Sequence, residues 1–363
     1  MMTDPEERLP KIQTCYGTLP SMLRKFDRFA RRDYFRGHSA EEFEEWRKRE
    51  RILLSELLGL EKIEVCDLNP VIMETKMLPE GIRREHIRIQ TEPDVWMTMY
   101  LLVPADAGPN TRLFLCPPGH NGAGKYTVAG LAKYGAVQEK ITQYQYDYGL
   151  QLARRGFAAV CPDCRGFGER REAKEDTQDP VLGLKGDCYW LAHMGEPLGI
   201  PVAGMLVWDL MRLIDYLELR GEWDMEHLGC LGFSGGGMQT LYLAALDERV
   251  QYAVISGYMY GFRDALLTLN RNCSCNYIPH LWEHLDMGDI ASLIAPRPLV
   301  IQSCRQDRLN GPRGIVNAVE QVAVIENAYR LCHVEKLPFH DICEGGHQWH
   351  GERLDKYLEY IGK

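Results

Sequence analysis

The stretch His227-Leu-Gly-Cys-Leu-Gly-Phe-Ser-Gly-Gly-Gly-Met-Gln239 constrains this chain more than any other. Leu228 to Phe233 is an apolar run too short for a helix and suited to a buried strand. Gly232-Phe233-Ser234-Gly235-Gly236 interrupts it, after which Met238, Leu241, Tyr242 and Ala245 recur at helical spacing. A strand, a sharp G-x-S-x-G turn and a helix form an elbow that lifts a serine clear of a sheet. The turn strains the serine backbone, so the residues two places away on each side must be small. Ser234 is therefore the candidate nucleophile, with the Gly235 N–H placed to meet a developing oxyanion.

A serine hydroxyl needs a base to take its proton, and the base needs an orienting carboxylate. Downstream, the apolar run Pro298 to Cys304 is followed by Arg305-Gln306-Asp307, which puts Asp307 just past a strand end. The last strand leads to Glu344-Gly345-Gly346-His347, where two glycines allow an imidazole to swing over the sheet edge. His350 is the competing histidine, and it falls in the first turn of the following helix. Ser234, Asp307 and His347 thus stand in the order required of a triad on a parallel sheet. A second oxyanion donor is expected from the loop Cys116 to Lys125, at His120 or Asn121.

Residues 1–80 read as an N-terminal helical extension and 81–363 as the main domain. Ser39-Ala40-Glu41-Glu42 fits a capping box. Phe43, Trp46, Leu53, Leu54, Leu57 and Leu58 then give an apolar helical face ended by Gly59. That face must be buried on the main body or on a second copy, so a homo-oligomer through these helices is an expectation. From Glu85 the period becomes that of strands, with a hairpin over His86–Ile89 and Val95–Val103. Strands at 112–116, 157–161, 228–233, 251–255, 298–304 and 335–342 then alternate with helices at 143–155, 202–219, 236–246, 315–331 and 352–361. That alternation predicts a doubly wound, mostly parallel α/β sheet. Residues 166–201, charged and then Gly/Pro-rich, are placed to act as a lid. Tyr189 and Trp190 within it, with Tyr258, are the candidate substrate-binding aromatics, and Tyr260, Trp282 and Trp349 lie near the expected mouth as well.

The chain resembles the α/β-hydrolase superfamily, in the branch of dienelactone-hydrolase-like and acetyl-xylan-esterase-like proteins. The likeness is carried by Gly119 to Lys125, Pro162 to Glu169, Gly232 to Gly236, Ala295 to Pro298 with Asp307, and Gly346-His347. It implies hydrolysis of a small-molecule ester through an acyl-serine, without cofactor, with Ser234, Asp307 and His347 as triad. Two departures stand out. Relatives often carry His-Gly where Pro118-Gly119 stands, and carbohydrate deacetylases favour Gln where Gly235 stands. A prolyl-oligopeptidase-like peptidase would share the triad, but some 80 extra residues cannot build a propeller. A binding protein on a hydrolase scaffold is the alternative from another class.

A net charge of −9 and the lack of a basic stripe argue against nucleic-acid binding. No apolar run reaches membrane-span length, and the N-terminus has no signal-peptide core. Of twelve cysteines, Cys116, Cys161, Cys230 and Cys304 lie within apolar strands and read as reduced thiols, so the expected location is cytoplasmic. Gly119 to Lys125 imitates a phosphate-binding loop, but Tyr126 replaces the Mg²⁺-binding hydroxyl. Cys161-Pro-Asp-Cys164 has zinc spacing, and Cys273-Ser-Cys275 lies near Asn276 and His280. A zinc site needs four ligands and no second pair is evident, so no metal is expected.

Overall fold

The computed structural model describes residues 14–172, 179, 182–334 and 336–362. Nine strands form one sheet: β1 (Val71–Met77), β2 (Arg83–Glu92), β3 (Val95–Val103), β4 (Arg112–Leu115), β5 (Ala158–Pro162), β6 (Asp224–Phe233), β7 (Tyr252–Ser256), β8 (Leu299–Cys304) and β9 (Phe339–Cys343). Their spatial order is β1-β2-β3-β5-β4-β6-β7-β8-β9. Strands β1 to β3 pair antiparallel, β3 meets β5 antiparallel, and every pairing from β5 to β9 is parallel. This is the α/β-hydrolase architecture. The central strands β5 and β8 are buried at every position, as a sheet covered on both faces requires.

The sheet begins earlier than the expected boundary at residue 81. β1 pairs with β2 from Val71 onward, yet it gives no strand signal because nearly every position on it is exposed. Before it, α1 (Leu19–Phe29) and α2 (Ala40–Leu57) pack on the body of the same chain. The capping box of α2 is formed, Ser39 Oγ accepting from Glu42 N and Glu42 Oε2 from Ser39 N. Phe43, Trp46, Leu54 and Leu58 are buried, each worth roughly 1.5–3 kcal/mol of apolar burial. Arg51 donates to the Leu293 carbonyl at 2.9 Å, and Arg31 grips Asp289 with two bonds of 2.6 and 2.8 Å. Phe43, Trp46, Leu54 and Leu58 of the α2 stripe are therefore covered by their own chain. Among the described residues this region contains no propeller.

Helices beyond include α3 (Cys188–Gly195), α4 (Val202–Arg220), α5 (Gly235–Leu246), α6 (Ile315–Leu331) and α7 (Leu354–Tyr360). α4 starts after Pro201 and ends on Gly221 in the left-handed region, the Pro-first, Gly-last pattern of helix punctuation. The expected helix over 143–155 is shorter, Tyr148–Ala153, because Gln145 adopts φ +53° and ends the preceding turn. Glu335, the expected start of the last strand, and Lys174-Glu175-Asp176 of the expected lid lie outside the described residues. No single described helix is long and apolar enough to cross a membrane.

Candidate active site

Ser234 occupies the turn between β6 and α5 with φ +57° and ψ −120°, and its N–H is anchored on the Ser256 carbonyl at 2.8 Å. A side chain at Gly232 would place Cβ 2.1 Å from the Gly236 carbonyl oxygen, and one at Gly236 would place it 2.2 Å from the Pro117 oxygen. These contacts are why the flanking positions must be glycine. The strain at Ser234 holds its Oγ above the carboxyl ends of the strands.

Asp307 follows β8 and is 4% exposed. Its Oδ1 accepts the Leu309 N–H at 2.8 Å, which leaves Oδ2 for His347 Nδ1 at 2.7 Å. His347 follows β9, and its Nε2 lies 2.8 Å from Ser234 Oγ. The Phe233 ring lies 4.6 Å from the imidazole, centroid to centroid. A carboxylate on Nδ1 fixes the tautomer with Nδ1–H, so Nε2 is the free acceptor for the serine proton. His350 points elsewhere, its Nδ1 bound to Glu352 Oε1 at 2.7 Å.

The loop beside the elbow is held carbonyl by carbonyl. Tyr148 donates to the Pro117 oxygen, Gln239 Nε2 to the Pro118 oxygen at 2.9 Å, and Tyr146 to the His120 oxygen at 3.0 Å. A Cβ at Gly119 would meet Tyr146 Oη at 2.4 Å and Gly235 N at 3.2 Å, so this backbone lies directly against the elbow. No backbone hydrogen bond among the described residues uses the N–H of His120 or Asn121. Both residues face the same cavity as Ser234 and Gly235.

The end of that loop is tied down by charge. Lys125 is fully buried, with Nζ 2.5 Å from Asp163 and 3.0 Å from Glu169. Asp163 also accepts from Lys125 N, Glu169 N and Thr98 Oγ1. Burial alone would raise the Glu169 carboxyl, but the His86 hydrogen bond and the Lys125 charge hold it well below the usual carboxylate range. Lys125 therefore serves this internal ion pair, and the resemblance to a phosphate-binding loop ends at sequence. Beneath it, Asp209 of α4 accepts from Arg165 at 3.0 and 3.1 Å, Arg170 at 2.6 Å and Thr91 at 2.7 Å.

A cavity of about 420 Å³ opens over Ser234. Tyr258 and Tyr260 line it, and Tyr258 donates to Asn276 Oδ1 at 2.8 Å. Tyr189 and Trp190 do not line it. They are 56% and 55% exposed and stack edge-to-face on each other. Helix α3 turns Cys188, Leu191 and Ala192 inward, so the two positions between them fall on its outer face. From the same segment Lys185 and Gly186 reach the cavity instead, joined by Arg271. None of these three sits in a periodic stretch, so no sequence pattern marks them. Trp349 is fully buried and donates to Gln151, while Trp282 packs between Phe26 and Phe262.

The expected cysteine groupings are rearranged. Cys164 bonds Gln239 at 3.0 Å, whereas the Cys161 sulfur packs against Gly149, so their zinc-like spacing yields no shared site. His280 is exposed and paired with Glu283. Cys273 and Cys275 converge with His120 and Cys188, the four ligand atoms lying within 4.8 Å of one another. The expectation that no four-ligand set exists is thus overturned.

The model of the Abhydrolase family matches residues 10–358. A Bacillus subtilis (strain 168) protein provisionally named a hydrolase, YtaP, is 27% identical over 177 residues, covering 48% of this chain and 55% of that protein. The match thus spans about half the length of that curated relative. A Bacteroides fragilis structure provisionally named an acetyl xylan esterase superposes with TM-score 0.75 at 18% identity, covering 96% of this chain and 90% of that one. A glucuronoyl esterase from Solibacter usitatus gives TM-score 0.61 at 17% identity over 92% and 96% of the two chains. At these identities the superpositions establish a shared fold.

Proposed function

Because this chain belongs to the Abhydrolase family, we propose that it hydrolyses carboxylic esters through an acyl-serine intermediate. One observation carries the reading: the Asp307–His347–Ser234 chain of 2.7 and 2.8 Å bonds, ending on a serine at φ +57°. His347 Nε2 takes the Ser234 proton as Oγ attacks the ester carbonyl. The negative charge gathers on the carbonyl oxygen, facing the Gly235 N–H and an N–H of His120 or Asn121. Collapse expels the alcohol, which receives the proton from His347, and a water repeats the sequence to release the acid. Asp307 keeps the tautomer and offsets the imidazolium charge.

Among the described residues the cavity lining holds Lys185 and Arg271 and no acidic side chain, which favours an ester carrying a negative group. Two structural neighbours are named for acetyl xylan and glucuronoyl esters, so carbohydrate esters are the first class to try. A reducing, cytoplasmic setting fits the unpaired state of all twelve cysteines. The test is a fluorophosphonate probe followed by a panel of neutral and anionic esters. Stoichiometric labelling lost in Ser234→Ala, with turnover of at least one ester, is the expected outcome. A folded wild-type protein that neither labels nor turns over any ester would return the chain to the class of binding proteins.

A further inference from the structure

We infer that His120, Cys188, Cys273 and Cys275 form a four-coordinate zinc site that fastens together the three loops around Ser234. His120 Nε2 lies 3.3 Å from Cys275 Sγ and 3.9 Å from Cys188 Sγ. All four ligand atoms fall within 4.8 Å of one another. A tetrahedron with Zn–S of about 2.3 Å and Zn–N of about 2.0 Å has edges of roughly 3.5–3.8 Å. The cluster therefore needs a contraction of about an ångström at its widest, within reach of rotation about the cysteine χ1 bonds.

The donor set selects the ion. Three sulfurs and an imidazole, with no carboxylate among them, suit a soft or borderline cation and disfavour Mg²⁺ or Ca²⁺. Cys188 and Cys275 are buried, at 1% and 2% exposure, while His120 and Cys273 are half-buried at the cavity wall. Outside the four, Asn276 Nδ2 points at Cys275 Sγ from 3.6 Å, and Asn276 is itself held by Tyr258. Such outer partners orient metal ligands.

Four protein ligands leave no open position, so the ion acts as a brace rather than as a Lewis acid on substrate. His120 belongs to the oxyanion loop, Cys188 opens α3 just after Lys185 and Gly186, and Cys273 and Cys275 follow Arg271. Each of these stretches lines the cavity over Ser234. One ion would thus fix the walls of the site at the point where the sheet itself no longer does.

The test does not depend on turnover, so it can fail independently of the ester reading. Full-length protein is purified under reducing conditions, incubated with zinc, freed of excess by gel filtration and analysed for metal. About one zinc per chain is expected, falling to about a tenth or less in Cys273→Ser and Cys275→Ser, with Cys15→Ser as an exposed control. Cobalt-loaded wild-type protein should show sulfur-to-cobalt charge transfer and the intense visible bands of a tetrahedral thiolate site. That spectrum decides the matter even if the serine variants fail to fold. A folded wild-type chain that retains no zinc, a cobalt spectrum of octahedral type, or a disulfide between two cluster cysteines that persists in the presence of reductant would each overturn the site.

Discussion

At the scale of single residues, the proposed chemistry rests on three side chains whose contacts separate them from close competitors. Ser234→Ala should leave the fold intact and lower kcat for an ester by roughly 10⁴–10⁶-fold, the range for a nucleophile that acts as part of a unit. His347→Ala should do comparable damage. His350→Ala should cost far less, because its imidazole is bound to Glu352 and does not reach Ser234. Steady-state rates on one good ester, with circular dichroism to certify folding, decide between them. A greater loss in His350→Ala than in His347→Ala would show that the base has been misassigned. The order Ser234, Asp307, His347 was legible because Ser234 and Asp307 follow apolar strand runs and His347 follows the glycine pair Gly345-Gly346. The distances were not, since they depend on how far each strand reaches.

At the scale of elements, α3 shows where pattern reading stops. Two adjacent aromatics suggest a pocket wall, yet the phase of a helix decides which of its faces turns inward. Cys188, Leu191 and Ala192 occupy that inner face, leaving Tyr189 and Trp190 outside. Replacing both with Ala should therefore change kcat/KM less than about 3-fold on every ester, as surface substitutions do. Lys185→Gln with Arg271→Gln should raise KM for an anionic ester at least several-fold while sparing a neutral one of similar size. Michaelis parameters on a matched ester pair test both statements. Equal effects of the charge variants on the two esters would remove the electrostatic reading of the cavity mouth. β1 was missed for a related reason. A strand exposed on both faces shows no alternation, so only its pairing with β2 defines it.

At the scale of the whole molecule, the carboxyl ends of the strands are backed by buried charge. Asp209 is buried, which by itself would raise its pKa, but Arg165 and Arg170 prevail and hold it at about 2. A carboxyl whose folded pKa lies below its unfolded value of about 3.9 adds stability above pH 4 and loses it as pH falls towards 2. Asp209→Asn should therefore destabilise the protein at pH 7 by about 3–5 kcal/mol, because two buried guanidinium groups lose their shared partner. The gap in Tm between wild type and variant should narrow below pH 4, as acid removes the same interaction from the wild type. Thermal melts across pH 3 to 7 read this directly. A gap that stays constant over that range would mean that Asp209 contributes by shape rather than by charge.

The sequence by itself determined what is local: the elbow at Ser234, the capping box at Ser39, the buried parallel strands, and the strand-end positions of Asp307 and His347. In each case the residues that make the signal are the residues that make the structure, a few positions apart on one strand or helix. Tertiary structure alone decided the rest. It turned Tyr189 and Trp190 outward, committed Lys125 to Asp163, and gathered His120 with cysteines 68 and 155 residues away. Contacts over such separations depend on how layers pack, and no period or spacing along the chain encodes that.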